Sequence, residues 1–229
     1  MATLDFAERP AAGDPAGLLV LHHGRGADEH DLLGLADVLD PERRLHVVTP
    51  RAPLTLPGAP GRHWYVVRRV GYPDPDTFHG AWQALADFHE QTWERTEIGP
   101  GDTVLGGFSQ GSVMSYALGL SGARPAPAGL LVFSGFVPAV AGWEPDLASR
   151  PGIGVFIAHG RRDPVIDVAF ARRDRDLLRP AGIDVEYHEF AGGHQIDPAD
   201  AGAARDWLGA RLSARRARPA PTPPARPGA

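Results

Sequence analysis

Cysteine is absent from this chain of 229 residues. That excludes disulfides, a thiolate metal site and a cysteine nucleophile. Lysine and asparagine are absent too, so all 23 cationic side chains are arginine, set against 28 Asp and Glu. A net charge of -5 and a pI near 6.0 argue against a nucleic-acid partner, which would call for a basic patch and a high pI. No apolar run approaches the ~18 residues of a membrane span. The opening MATLDFAERPAAGD has neither the basic nor the apolar segment of a secretory signal. The chain therefore reads as cytoplasmic, with enough length for one domain and a sizeable core.

What is present is an alternation. Short apolar runs at 17–23, 44–50, 102–108, 128–135 and 152–160 read as strands, and 184–190 alternates like a strand nearer an edge. Helical spacing falls at 31–39, 77–93, 110–120, 168–179 and about 197–212, the last with Asp197 as N-cap and Pro198 at N1. Strands alternating with helices predict an α/β fold, a mostly parallel sheet covered on both faces. Residues 1–212 form the expected domain. Residues 213–229, rich in Pro, Ala and Arg, form an expected disordered tail. No insertion is long enough for a large lid domain. The two long connections, 51–76 and 136–151, carry Trp64, Tyr65, Phe136 and Trp143, which serve either as pocket lining or as a cap on the core.

The segment Gly107-Phe108-Ser109-Gln110-Gly111 fits G-x-S-x-G between a predicted strand and a predicted helix, the context that motif requires. Small residues on either side allow a crowded turn that exposes the hydroxyl at the carboxyl end of the sheet. A plain turn serine is the alternative to a nucleophile. A nucleophilic serine needs a base. Downstream stand His159, His188 and His194. His159 ends a strand and shapes a turn, and His188 alternates within a strand. His194 follows Ala-Gly-Gly after the last strand, in a loop at the carboxyl end where ligands bind in open α/β sheets. Asp163 lies in the loop after the preceding strand, suited to orient that imidazole, whereas Asp167 sits where it caps the next helix. An oxyanion would find donors in the backbone N–H groups of Gln110 and of Arg25, in the glycine-rich turn after the first strong strand. His22 and His23 have no third ligand at sensible spacing, so no metal is expected.

These residues resemble the phospholipase/carboxylesterase family, a small serine-hydrolase branch of the α/β-hydrolase fold that includes acyl-protein thioesterases. The likeness covers roughly 17–210. It rests on H-G-x-G-x4-D-L at His23, Gly24, Gly26, Asp31 and Leu32, on G-F-S-Q-G at 107–111, on His159, Gly160, Asp163 and Ile166, and on Gly193, His194 and Ile196. The resemblance implies a triad of Ser109, Asp163 and His194, with Arg25 and Gln110 as amide donors. It implies hydrolysis of small-molecule carboxylic esters or thioesters through an acyl-enzyme, with no cofactor. Dimers are common in the group, which leaves a homodimer open. Arg25 stands where the family often has a small or apolar residue, which raises a preference for an anionic leaving group or an arginine turned to solvent. The expected substrates carry short to medium acyl chains. The alternative is a lysophospholipase or acyl-protein thioesterase with a long apolar groove along Trp64, Tyr65, Phe136 and Trp143. A non-catalytic binding protein on the same scaffold would show a degraded triad, and here all three positions are filled.

Overall fold

The computed structural model describes residues 4–216. Seven strands form one sheet: β1 (Phe6–Arg9), β2 (Leu18–His22), β3 (His46–Pro50), β4 (Thr103–Phe108), β5 (Gly129–Phe133), β6 (Gly154–Gly160) and β7 (Asp184–Phe190). Their spatial order is β1-β3-β2-β4-β5-β6-β7. Every pairing is parallel except β1 with β3. The helices are α1 (Leu33–Leu39), α2 (Pro75–Thr96), α3 (Gln110–Gly119), α4 (Ala169–Leu178) and α5 (Pro198–Arg216).

Continuous apolar runs become central strands because both faces of the sheet are covered. In β2, Leu18 and Val20 join the core beneath α2, α3 and α4. Leu19 and Leu21 point the other way, into a second core with α1 and α5. The alternation in β7 marks an outer strand, paired on one side only. In α2 the buried face runs through Phe78, Ala81, Leu85 and Phe88, with Trp82 and Trp93 half-buried beside it. Asp74 caps that helix by accepting from the Thr77 N–H, and Pro75 fills its first turn. In α5, Ala201, Ala204, Trp207 and Leu208 face inward as their spacing predicts, and the Asp197 carboxylate accepts from the Ala199 N–H.

Three elements have no strand-like apolar pattern in the sequence. β1 is the short run FAER, held by antiparallel pairing with β3 and by buried Arg9, whose guanidinium donates to the Asp40 carboxylate at 2.9 Å. The 51–76 connection folds into two small ribbons, Leu54–Thr55 with Arg62–His63 and Val67–Arg69 with Tyr72–Pro73. The last helix continues to Arg216, four residues beyond the expected boundary at 212, so the 213–229 tail is overstated at its start. The rest of that tail, 217–229, lies outside the described residues. Among the described residues no helix is long and apolar enough to cross a membrane.

Candidate active site

Ser109 sits where β4 turns into α3. Its backbone is at φ 54° and ψ -119°, a conformation that costs a non-glycine residue about 1–3 kcal/mol. The turn is held by its neighbours. The Ser109 N–H donates to the Phe133 carbonyl at 2.9 Å. Ser112 Oγ accepts from the Phe133 N–H and donates to the Gly107 carbonyl. Gly111 lies against β2, and a Cβ there would run into the His22 carbonyl. Glycine at that position is thus a packing requirement of the turn.

Two loops at the carboxyl ends of β6 and β7 meet over this serine. The Arg162 N–H donates to the Gly192 carbonyl at 3.0 Å, and its guanidinium to the Ala191 carbonyl at 2.6 Å. Gly160 approaches the Gly193 carbonyl too closely for any side chain. The coupling brings Asp163 and His194 together: His194 Nδ1 lies 2.7 Å from Asp163 Oδ2, and His194 Nε2 lies 2.8 Å from Ser109 Oγ. With the proton on Nδ1, the imidazole donates to the carboxylate and accepts from the serine hydroxyl. The other carboxylate oxygen, Oδ1, accepts from the N–H groups of Val165 and Ile166 at 2.8 and 2.9 Å. Burial works to raise the Asp163 pKa, but the bonds from His194 and from the two amides outweigh it and hold the carboxyl below its ordinary value. Phe108 packs its ring 4.8 Å from that of His194.

The other candidates have structural places. His159 is fully buried, and its Nε2 donates to the Ile166 carbonyl at 2.7 Å, tying down the loop that carries Asp163. His188 is half-buried on β7, bonded to Glu186 and stacked on Phe156. The Asp167 carboxylate accepts from the Ala169 N–H at the start of α4. His23 Nδ1 donates to the Gly24 carbonyl, and its Nε2 accepts from the Ala52 N–H. Burial lowers its pKa, which suits a neutral ring bonding in that way. His22 lies under α3 against Ser115 and His89, its pKa pushed down to about 3 by burial.

A cavity of about 480 Å³ opens above Ser109 and His194. Arg25 and Gln110 line it, and neither backbone N–H has an acceptor among the described residues. Tyr65, Val67, Val70 and Pro73 come from the ribbon segment, and Phe136, Val165 and Ile166 from the loops after β5 and β6. Trp64 and Trp143 do not line it, which corrects half of the aromatic set. The Trp64 indole N–H donates to the His23 carbonyl and the Trp143 indole N–H to the Ala117 carbonyl. A buried indole needs such a partner, and these bonds hold both rings in the core. The sequence reading also missed the side chain of Gln110. Its Oε1 accepts from the Trp64 N–H at 2.8 Å and its Nε2 donates to the Tyr65 carbonyl at 2.7 Å. A single amide thus clamps the ribbon segment to the serine turn. The Gly26 N–H donates to the Arg62 carbonyl, and the Arg62 N–H to the Ala27 carbonyl, fastening the Arg25 turn to the same segment.

Several known proteins are similar to this chain over most of its length. The phospholipase/carboxylesterase family model matches residues 9–211. The Bacillus subtilis protein MhqD is 29% identical over 85% of this chain and 94% of its own length. Acyl-protein thioesterase 1 of Neurospora crassa is 28% identical over 89% of this chain and 90% of its own. Among solved structures, esterase PE8 superposes with a TM-score of 0.78 at 29% identity, covering 91% of this chain and 99% of its own. The chain belongs to the phospholipase/carboxylesterase family and is an α/β-hydrolase that cleaves carboxylic esters.

Proposed function

We propose that Ser109, His194 and Asp163 are the catalytic triad, acting on esters of short to medium acyl chain. The observation that carries this reading is the unbroken hydrogen-bond chain from Ser109 Oγ through His194 to Asp163, 2.8 and 2.7 Å long, at the base of a cavity. Ser109 Oγ attacks the acyl carbonyl carbon while its proton passes to His194 Nε2. The tetrahedral oxyanion accepts from the Arg25 and Gln110 amides, where loss of one donor costs about 10²–10³ in turnover. As the carbon–oxygen bond breaks, Nε2 returns the proton to the leaving alcohol. Water then attacks the acyl-enzyme by the same route and frees Ser109. Asp163 holds the ring with Nδ1 protonated and balances the imidazolium charge. The steps need no metal or organic cofactor. A cavity of about 480 Å³ suits a small ligand.

A second reading has one observation in its favour. Val67 and Val165, both in the cavity wall, are 42% and 52% exposed. An apolar mouth of this kind would accept a long acyl chain, as in a lysophospholipase or a protein deacylase. Hydrolysis of p-nitrophenyl esters from acetate to palmitate, with Ser109→Ala alongside, tests both. Activity that peaks at short chains and vanishes in the variant supports the small-ester reading. A rate that rises toward palmitate replaces it with the long-chain one. Full activity in Ser109→Ala overturns the triad.

A further inference from the structure

The cavity wall carries two cations and no carboxylate. Arg25 and Arg69 both line it, and Asp163 lies behind His194, outside the lining set. Elsewhere in the chain the arginines are mostly committed. Arg68, next in sequence to Arg69, pairs with Asp74 at 2.9 Å, and Arg162 bonds a backbone carbonyl. Arg25 and Arg69 have neither a carboxylate nor a carbonyl acceptor among the described residues. A protein with net charge -5 thus leaves two unneutralised guanidiniums at its reaction cavity.

The backbone segments that carry them are anchored. The Arg25 amide is the proposed oxyanion donor, so its side chain departs from within a few bonds of the reacting carbonyl. Arg69 stacks over the Tyr72 ring at 3.6 Å. The ribbon carrying it turns through Gly71, at φ +89°, where a Cβ would also press into Phe170 of α4. The Ala139 N–H donates to the Gly71 carbonyl and anchors the same turn.

We propose that this cavity selects esters or thioesters bearing a carboxylate a few bonds from the scissile carbonyl, with the side chains of Arg25 and Arg69 as its partners. This rests on the hydrolase reading above. A guanidinium matches a carboxylate in two parallel hydrogen bonds, and the apolar wall between the two arginines takes a short aliphatic stem. A phosphate would call for further hydroxyl or amide donors to fill its third oxygen, and the remaining polar lining, Ser109, Gln110 and His194, is committed to the reacting carbonyl.

The test compares mono-p-nitrophenyl glutarate with p-nitrophenyl butyrate, and 4-acetoxybenzoate with phenyl acetate, at low salt. The first pair puts the carboxylate on the acyl side, the second on the leaving group. The wild type is expected to favour the anionic member of at least one pair by about tenfold in kcat/KM. Arg25→Gln and Arg69→Gln should each reduce that ratio about fivefold, the scale of a solvent-exposed ion pair. Raising NaCl to about 0.5 M should shrink the ratio in the wild type. Using the ratio within each variant cancels any loss common to both substrates. A wild-type ratio of one or less for both pairs overturns the proposal, as does a ratio above one that neither substitution changes.

Binding separates this inference from the one beneath it. In Ser109→Ala, the anionic ester of whichever pair the wild type favours should bind more tightly than its neutral counterpart, and Ser109→Ala/Arg69→Gln should lose most of the difference. That result stands even if Ser109 proves not to be the nucleophile. Equal binding of the two esters overturns the carboxylate site while leaving the triad untouched.

Discussion

Two regions build one cavity by opposite means. The serine turn between β4 and α3 is rigid through crowding: glycines permit close approach, and the Ser109 backbone is strained but over-determined by β2 and β5. The ribbon segment 62–73 packs its own wall through a few specific hydrogen bonds, chiefly those of the Gln110 side chain. The first region presents the reacting atoms, and the second presents what surrounds them. The turn therefore tolerates little change, whereas the ribbon segment, whose strands lie outside the seven-stranded sheet, can vary without disturbing it.

Breaking the turn or the hydrogen-bond chain that meets it should cost most. Asp163→Asn removes the acceptor that sets the His194 tautomer. Turnover should fall by about 10⁴ with the fold retained, since the analogous change in a serine triad has that size; circular dichroism and ester hydrolysis together check it. Gly111→Ala forces the turn away from the His22 carbonyl. A displacement near 1 Å would cost about 10²-fold in kcat, and overpacking should remove about 1–3 kcal/mol of stability, read as a lower denaturation midpoint.

Breaking the clamp should cost less and differently. Gln110→Ala leaves the Trp64 N–H buried without a partner and the Tyr65 carbonyl with His63 Nδ1 as its remaining donor, a loss of about 1–3 kcal/mol. Its kinetic signature should be a raised KM together with a reduced kcat, because the segment also supports the Arg25 turn. Gly71→Ala, which strains the outer ribbon and presses on Phe170 of α4 but does not touch the serine turn, should raise KM several-fold and leave kcat near the wild-type value. If Gly71→Ala lowers kcat as much as Gly111→Ala does, the division between the two regions is wrong.

The smallest effect on turnover concerns α4, which backs the Phe136 side of the cavity. Asp174 is fully buried, and burial raises its pKa to about 7 against the pull of Arg173 and the Val137 N–H. The folded state therefore holds this proton more tightly than the unfolded chain. Stability from this group is present below the unfolded pKa and is lost as pH rises from about 4 to about 7. Urea midpoints across that range should show Asp174→Asn gaining on the wild type as pH increases. Midpoints that keep a constant offset would mean that Asp174 is ionised throughout.

Most of the sheet was legible because each central strand is a continuous apolar run and the helices between them, apart from the wholly buried α3, are amphipathic. β1 was not, since FAER has no apolar pattern of its own and is stabilised only by pairing and by the Arg9–Asp40 contact. The three side chains of the proposed triad could be singled out because each follows a strand at its carboxyl end, where loops converge. The aromatics were only half legible. Tyr65 reaches the cavity and its neighbour Trp64 does not, because one indole N–H found the His23 carbonyl.

Local pattern and order along the chain were thus enough to determine the α/β class, the strained serine turn and which histidine and aspartate meet it, since these depend on periodicity and on which strand a residue follows. The wall of the cavity was decided only by tertiary structure. Whether Trp64 packs or lines, whether Gln110 clamps with its side chain, and whether Arg25 and Arg69 share one cavity depend on hydrogen bonds between segments about forty residues apart, and no local propensity encodes such distances.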